Sequence, residues 1–180
     1  MALPATIYRV AIDLADLDRG CYARLETTAA RHPSETAERL VTRLLAYALC
    51  HHEELGFTKG ICAGDEPDLW SREADGRVRE WIEVGLPDAE RLRKASRHAG
   101  RVVLVASGSG LRRWLEQHQA KLASVPNLTI LALDADFVSR LAANLERAVN
   151  WSLTVTEGTL YLSSGGETLE APLHLIQGER

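Results

Sequence analysis

A chain of 180 residues with 46% hydrophobic and 26% charged residues suits one domain, residues 1–180, and has too much Leu, Val and Ile for a disordered polypeptide. Its net charge of −4 excludes a global attraction to nucleic acid, so any such binding needs a local basic face. No run approaches the roughly 20 apolar residues that cross a bilayer, and the opening MALPATIYRVAID alternates like a strand instead of offering a signal-peptide core, so a cytoplasmic protein without membrane contact is expected. Cys21, Cys50 and Cys62 are an odd number without a CxxC pair, which argues against a disulfide framework and a structural zinc site.

In chain order, Ile7, Val10 and Ile12 alternate with polar residues, Asp18, Arg19 and Gly20 offer a turn, and Tyr22 to Thr28 alternate again, so a β-hairpin is predicted. A helix follows from Ser34, which can cap it or open it with Pro33. Its apolar stripe is Leu40, Val41, Leu44, Leu45, Ala48 and Leu49, and Gly56 is its expected stop. FTKGICA reads as a short strand before the acidic turn GDEPD. LWSREADGRVREWIEVG reads as a hairpin with its tip at Ala74-Asp75-Gly76, since Asp-Gly takes up the left-handed conformations of a tight connection. Asp88 opens a helix to about His98.

The rhythm then changes. RVVLVAS and NLTILAL are continuous apolar runs of the kind buried on both faces, each followed by a helical segment, the second capped by Asp134; this succession predicts parallel, right-handed crossovers. The tail returns to alternation around turns at Glu157-Gly158 and Gly165-Gly166. The expected fold is therefore α/β, a mixed sheet flanked by helices, with the N- and C-terminal strands pairing as an antiparallel layer beside it.

The chemistry concentrates between Gly64 and Arg97. Asp68 stands just before one strand and Glu83 inside the next, and Arg91, Arg93, Lys94 and Arg97 follow on a helix. Two carboxylates on neighbouring strands with a cation from the following helix suit a divalent-metal phosphodiesterase; a two-strand turn with exposed charges is the bland reading. Glu83 lies among Trp81, Ile82 and Val84, so an inward-facing carboxylate needs a partner or a metal. Ser107-Gly108-Ser109-Gly110 stands where anions bind in open α/β sheets, yet it lacks a full phosphate-loop motif, and a plain turn is the commoner outcome.

MALPATIYRV, ADLDRG, ARHPSETAERL, LLAYAL, FTKGICAGDEPDLW, WIEVGLPDAERLRKA and Gln119-Ala120-Lys121 together resemble the YaeQ family of bacterial proteins over nearly the whole chain. The resemblance implies a core similar to the PD-(D/E)xK nuclease superfamily, with Mg²⁺, or Mn²⁺ in its place, on two acids. Its pattern puts Pro67-Asp68 first and Glu83 second. Gly85 stands where the motif lysine belongs, so Lys94 becomes the candidate cation, with Arg91 three residues earlier on the same helical face. An acid on the first helix is a further implied ligand, Glu38 or Glu35. The implied function is Mg²⁺-dependent nuclease-like action on DNA or RNA; the alternative is a non-catalytic nucleic-acid-binding or transcription-associated module with a degenerate site.

Overall fold

In the computed structural model, which describes residues 4–59 and 64–180, one helix carries much of the packing. This is α1, Ala37–Leu49. Leu40, Val41, Leu44, Leu45, Ala48 and Leu49 are each at most 1% exposed. Thr42, Arg43 and Ala46 are buried too, so the helix is enclosed on most sides, as core helices are. Its cap is Thr36, whose Oγ1 accepts the Arg39 backbone N–H at 3.1 Å. Ser34, the expected cap, instead bonds His32 Nδ1 at 2.8 Å; two hydroxyl residues stand two positions apart in the same signal, and it is the second that accepts from the first turn. The helix ends at Leu49, with Cys50 as C-cap, well before Gly56. Thr36→Ala should lower stability by about 1 kcal/mol, a fall of roughly 2–4 °C in a thermal melt.

Around α1 runs a mixed sheet of ten strands among the described residues, in the order β2-β1-β8-β9-β10-β7-β6-β5-β4-β3. In chain order they are β1 Thr6–Asp16, β2 Cys21–Arg31, β3 Gly56–Phe57, β4 Leu69–Arg72, β5 Val78–Val84, β6 Ala99–Ala106, β7 Leu128–Leu133, β8 Ala148–Thr156, β9 Thr159–Ser164 and β10 Glu167–Gln177. The other helices are α2 Ala89–Ser96, α3 Leu111–Leu122 and α4 Ala135–Ala143. Helix α1 touches β1 and β2 from one half of the sheet and β5 and β6 from the other. One core cluster therefore joins α1, α4 and both halves. A second lies on the opposite face of β6 and β7, under α2 and α3.

The continuous apolar runs are the parallel strands expected: β5, β6 and β7 pair in parallel, with β6 residues 102–106 buried on both faces. Asp88 and Asp134 cap α2 and α4, accepting from Glu90 N at 2.8 Å and Phe137 N at 2.8 Å. Both hairpin signals of the tail hold. Glu157 and Gly158 have φ of 50° and 68°, and Gly165 and Gly166 have 59° and 84°, the left-handed pair that a two-residue connection requires.

Three expectations are corrected. The first and last segments do pair, but β1 and β8 run parallel, and they join one continuous sheet instead of a separate antiparallel layer. Strand β10 is antiparallel to β7 and sits between β9 and the parallel core. In β1 it is Tyr8, Val10, Ile12 and Leu14 that face inward, whereas Ile7 is 55% exposed. The strand predicted for FTKGICA is confined to Gly56–Phe57 among the described residues; residues 60–63, with Cys62, lie outside them. Cys21 and Cys50 are free thiols, and burial pushes the Cys50 thiol up to about 12. No helix among the described residues is long and apolar enough to cross a membrane.

Candidate functional site

Beyond the carboxyl ends of β5 and β6, the favoured ligand position in open α/β sheets, lies a cleft of about 630 Å³. The start of α1 contributes Thr36, Glu38, Arg39 and Thr42 to it. Asp68 and Glu83 form its acidic floor, Arg91 reaches in from α2, and Ser107 and Gly108 close the side next to α3.

Asp68 reaches this place because antiparallel pairing sets β4 against β5, Leu69 opposite Ile82. Its own N–H donates to Ile82 O at 3.0 Å, and its Oδ2 accepts the Val84 N–H at 2.9 Å. Its Oδ1 accepts from Arg39 Nη2 at 2.7 Å, while the Arg43 Nε stands 3.9 Å away. Asp68 is only 2% exposed, so each of these partners offsets the cost of desolvating a charge.

Glu83, two strand residues beyond Trp81, shares that residue's face. Its Oε1 accepts from Trp81 Nε1 at 2.8 Å and from Arg91 Nε at 2.7 Å. Oε2 makes no hydrogen bond among the described residues. Burial pushes the Glu83 carboxyl above its ordinary value, and the charge of Asp68 adds to the rise; Arg91 and the Trp81 N–H pull against it. The native state thus holds this proton more tightly than the unfolded chain does. The group's contribution to stability is complete below the ordinary carboxylate range and is lost as pH rises through the raised value.

Behind the cleft lies an ion network. Glu35 is 4% exposed; its carboxylate accepts from Arg39 Nη1 at 3.1 Å, and Arg43 Nη1 lies 3.1 and 3.0 Å from its two oxygens. Arg43 also donates to Ala30 O at 3.1 Å, and Arg31 Nε holds Glu35 O at 2.9 Å. The buried acids Glu35, Asp68 and Glu83 are therefore matched by Arg39, Arg43 and Arg91.

The structure brings together Asp68, Glu83, Glu38 and Arg91 of the expected residues. Lys94 is exposed on α2 and is not a lining residue of the cleft. Glu35 is engaged within the ion network instead of facing the opening. Arg39 and Arg43 were not singled out in the sequence, although Glu35, Arg39 and Arg43 recur at four-residue steps, the spacing that stacks side chains on one helical face. Trp114 is a core residue, its Nε1 donating to Pro87 O at 2.7 Å.

Asp68, Glu83 and Glu38 are the hard oxygen donors that Mg²⁺ takes and all line the cleft, and Glu83 Oε2 makes no hydrogen bond among the described residues. Among the described residues no three His, Cys, Asp or Glu side chains stand in ion-holding positions, and Arg39 and Arg91 each hold an oxygen of one principal acid. The donor chemistry fits the ion; occupancy requires those arginines to yield.

A family profile with the description "YaeQ protein" matches residues 1–173. The YaeQ protein of Escherichia coli (strain K12) is 40% identical over 174 residues, 96% of each chain. Two crystal structures have the same fold: the YaeQ protein from Pseudomonas syringae, with TM-score 0.93, 42% identity and 99% of each chain covered, and that from Xanthomonas axonopodis pv. citri, with TM-score 0.94, 33% identity, 97% of this chain and 99% of that one.

Proposed function

We propose that this chain, which belongs to the YaeQ family, is a Mg²⁺-dependent nuclease-like protein that acts on nucleic-acid phosphodiesters through a PD-(D/E)xK-type site. The observation that carries the reading is the placement of Asp68 and Glu83 in one open cleft with Glu38 and two arginines. Asp68, Glu83 and, from α1, Glu38 would hold the ion. A bound Mg²⁺ supplies Lewis acidity toward a phosphoryl oxygen and lowers the pKa of a coordinated water.

The chain's own residues do the rest. Glu83 is oriented through Oε1 by the Trp81 and Arg91 N–H groups, and its Oε2 makes no hydrogen bond among the described residues. Arg91 Nε holds Glu83 in position, and its Nη1 and Nη2 donate to Gly64 O at 2.6 Å and Glu66 O at 2.8 Å. The segment before Asp68 is thereby tied to α2, and this guanidinium, in place of the expected Lys94, is the α2 cation that lines the cleft beside Glu83. The charge that develops on the phosphoryl group would face this guanidinium across the cleft.

A second reading, a non-catalytic nucleic-acid-binding or transcription-associated module, is favoured by Gly85 at the motif-lysine position and by the arginine already on each acid. Labelled single- and double-stranded DNA and RNA oligonucleotides, incubated with Mg²⁺ or Mn²⁺ at several salt concentrations, separate the two. Cleavage that chelator abolishes supports the first; retention without cleavage selects the second; neither retention nor cleavage at low salt overturns both.

A further inference from the structure

The three arginines of the cleft are not equivalent. Arg43 is 3% exposed and sealed beneath the floor, where it donates to Glu35 and Ala30. Arg91 has every nitrogen engaged, on Glu83, Gly64 and Glu66, and ties three segments together. Arg39 stands at the opening with its side chain 28% exposed. It gives one N–H to Glu35 and one to Asp68, and its Nε bonds nothing among the described residues. A guanidinium carries five N–H donors, so Arg39, which lines the cleft, keeps unspent donors.

Both acceptors of Arg39 also have other cover. Arg43 Nη1 lies within hydrogen-bond distance of both Glu35 oxygens. Asp68 Oδ2 has the Val84 N–H, and the buried Arg43 Nε, without a hydrogen bond of its own, stands 3.9 Å from Oδ1. If Arg39 leans outward, a small approach by Arg43 meets Asp68, and neither buried carboxylate is left bare. An anchored, partly exposed guanidinium with donors to spare suits an anion with several acceptor oxygens, and phosphate geometry matches its planar fork.

We propose that Arg39 is the phosphate-binding residue of this cleft: held by Glu35 and Asp68, it receives a phosphodiester oxygen on its remaining N–H groups, with Arg43 as the second cation beside the two carboxylates. The inference rests on the nucleic-acid reading above and assigns its phosphate contact to a residue outside the acid pair.

The test is anisotropy of a fluorescein-labelled single-stranded oligonucleotide at low salt without added metal, with inorganic phosphate as competitor. Wild type, Arg39→Gln, Arg39→Lys and Arg93→Gln are compared; Arg93 lies on α2 outside the cleft lining and reports the generic loss of one charge. Expected are about a tenfold weakening in Arg39→Gln, a smaller one in Arg39→Lys, which keeps the charge without the fork, and less than twofold in Arg93→Gln. The salt slope of Arg39→Gln should be shallower by about one, and phosphate should compete less well against the oligonucleotide bound to that variant. Melting of Arg39→Gln should fall less than that of Arg43→Met, because Arg43 stays on Glu35 and within 3.9 Å of Asp68.

Equal weakening in the Arg39 and Arg93 variants, or unchanged binding in Arg39→Gln, overturns the assignment and leaves the nucleic-acid reading standing. A collapse of the fold in both Arg39 variants overturns the claim that Arg43 suffices. No binding by wild type removes the nucleic-acid reading and this inference together.

Discussion

Arg43→Met is expected to lower the unfolding temperature by roughly 10 °C. Methionine fills much of the space the arginine leaves, so a cavity contributes little and the effect is electrostatic. The buried Glu35 loses the cation closest to both of its oxygens, Ala30 O loses a donor, and Asp68 loses its inner counter-charge. Breaking a buried ion pair from one side costs about 3–5 kcal/mol, because it strands the other charge. For a chain of this length, 1 kcal/mol corresponds to about 2–4 °C. The double variant Glu35→Gln, Arg43→Met should recover part of the loss, since no unpaired charge then remains. Denaturant titration with both variants measures this; a single-variant change below about 1 kcal/mol would mean that the network does not anchor α1 to the cleft.

Glu83→Ala should abolish Mg²⁺ or Mn²⁺ binding in calorimetry and reduce any cleavage by more than about 100-fold, the upper range found when a supporting residue of a metal site is lost. Alanine also strands the Arg91 guanidinium and the Trp81 N–H, which share the same acceptor oxygen, so Glu83→Gln is the sharper variant. An amide oxygen still accepts from both, and only the ionisable charge is gone. Because burial raises the wild-type carboxyl, the glutamine variant should gain stability relative to wild type as pH rises through that raised value. Metal affinity unchanged in the glutamine variant would remove Glu83 from the ligand set. A relative stability flat across the acid range would show that the group titrates normally.

How far the sequence discloses this molecule depends on how local each decision is. The parallel core was legible because β6 and β7 are buried on both faces and so lack the alternation of a half-exposed strand. The closing hairpins were legible because Glu157-Gly158 and Gly165-Gly166 supply positive φ where a tight turn needs it. Alternation says that a strand has two different faces, but it does not name the neighbour; the parallel partnership of β1 with β8 joins segments far apart in sequence, which no local pattern records. The same limit applies at the cleft. Asp68 and Glu83 stood out as acids beside strands and share the cleft. Arg39 and Arg43, at helical spacing from Glu35, look in sequence like an ordinary surface ion-pair row. Only the enclosure of α1 turns that row into a buried network, and enclosure is a property of the whole sheet.

The position of β10 has a consequence for how the chain reaches its native state. It separates β9 from β7, so the half of the sheet begun by the first hairpin cannot join the half that carries the acids until the tenth strand in sequence order is in place. Strand β1 likewise waits for β8, more than a hundred positions downstream. Such distant partnerships impose large loop-closure costs before they return any stabilisation, the mark of a slow-folding topology. During synthesis, β5, β6 and β7 would wait with the β7 edge uncovered until β10 had left the ribosome.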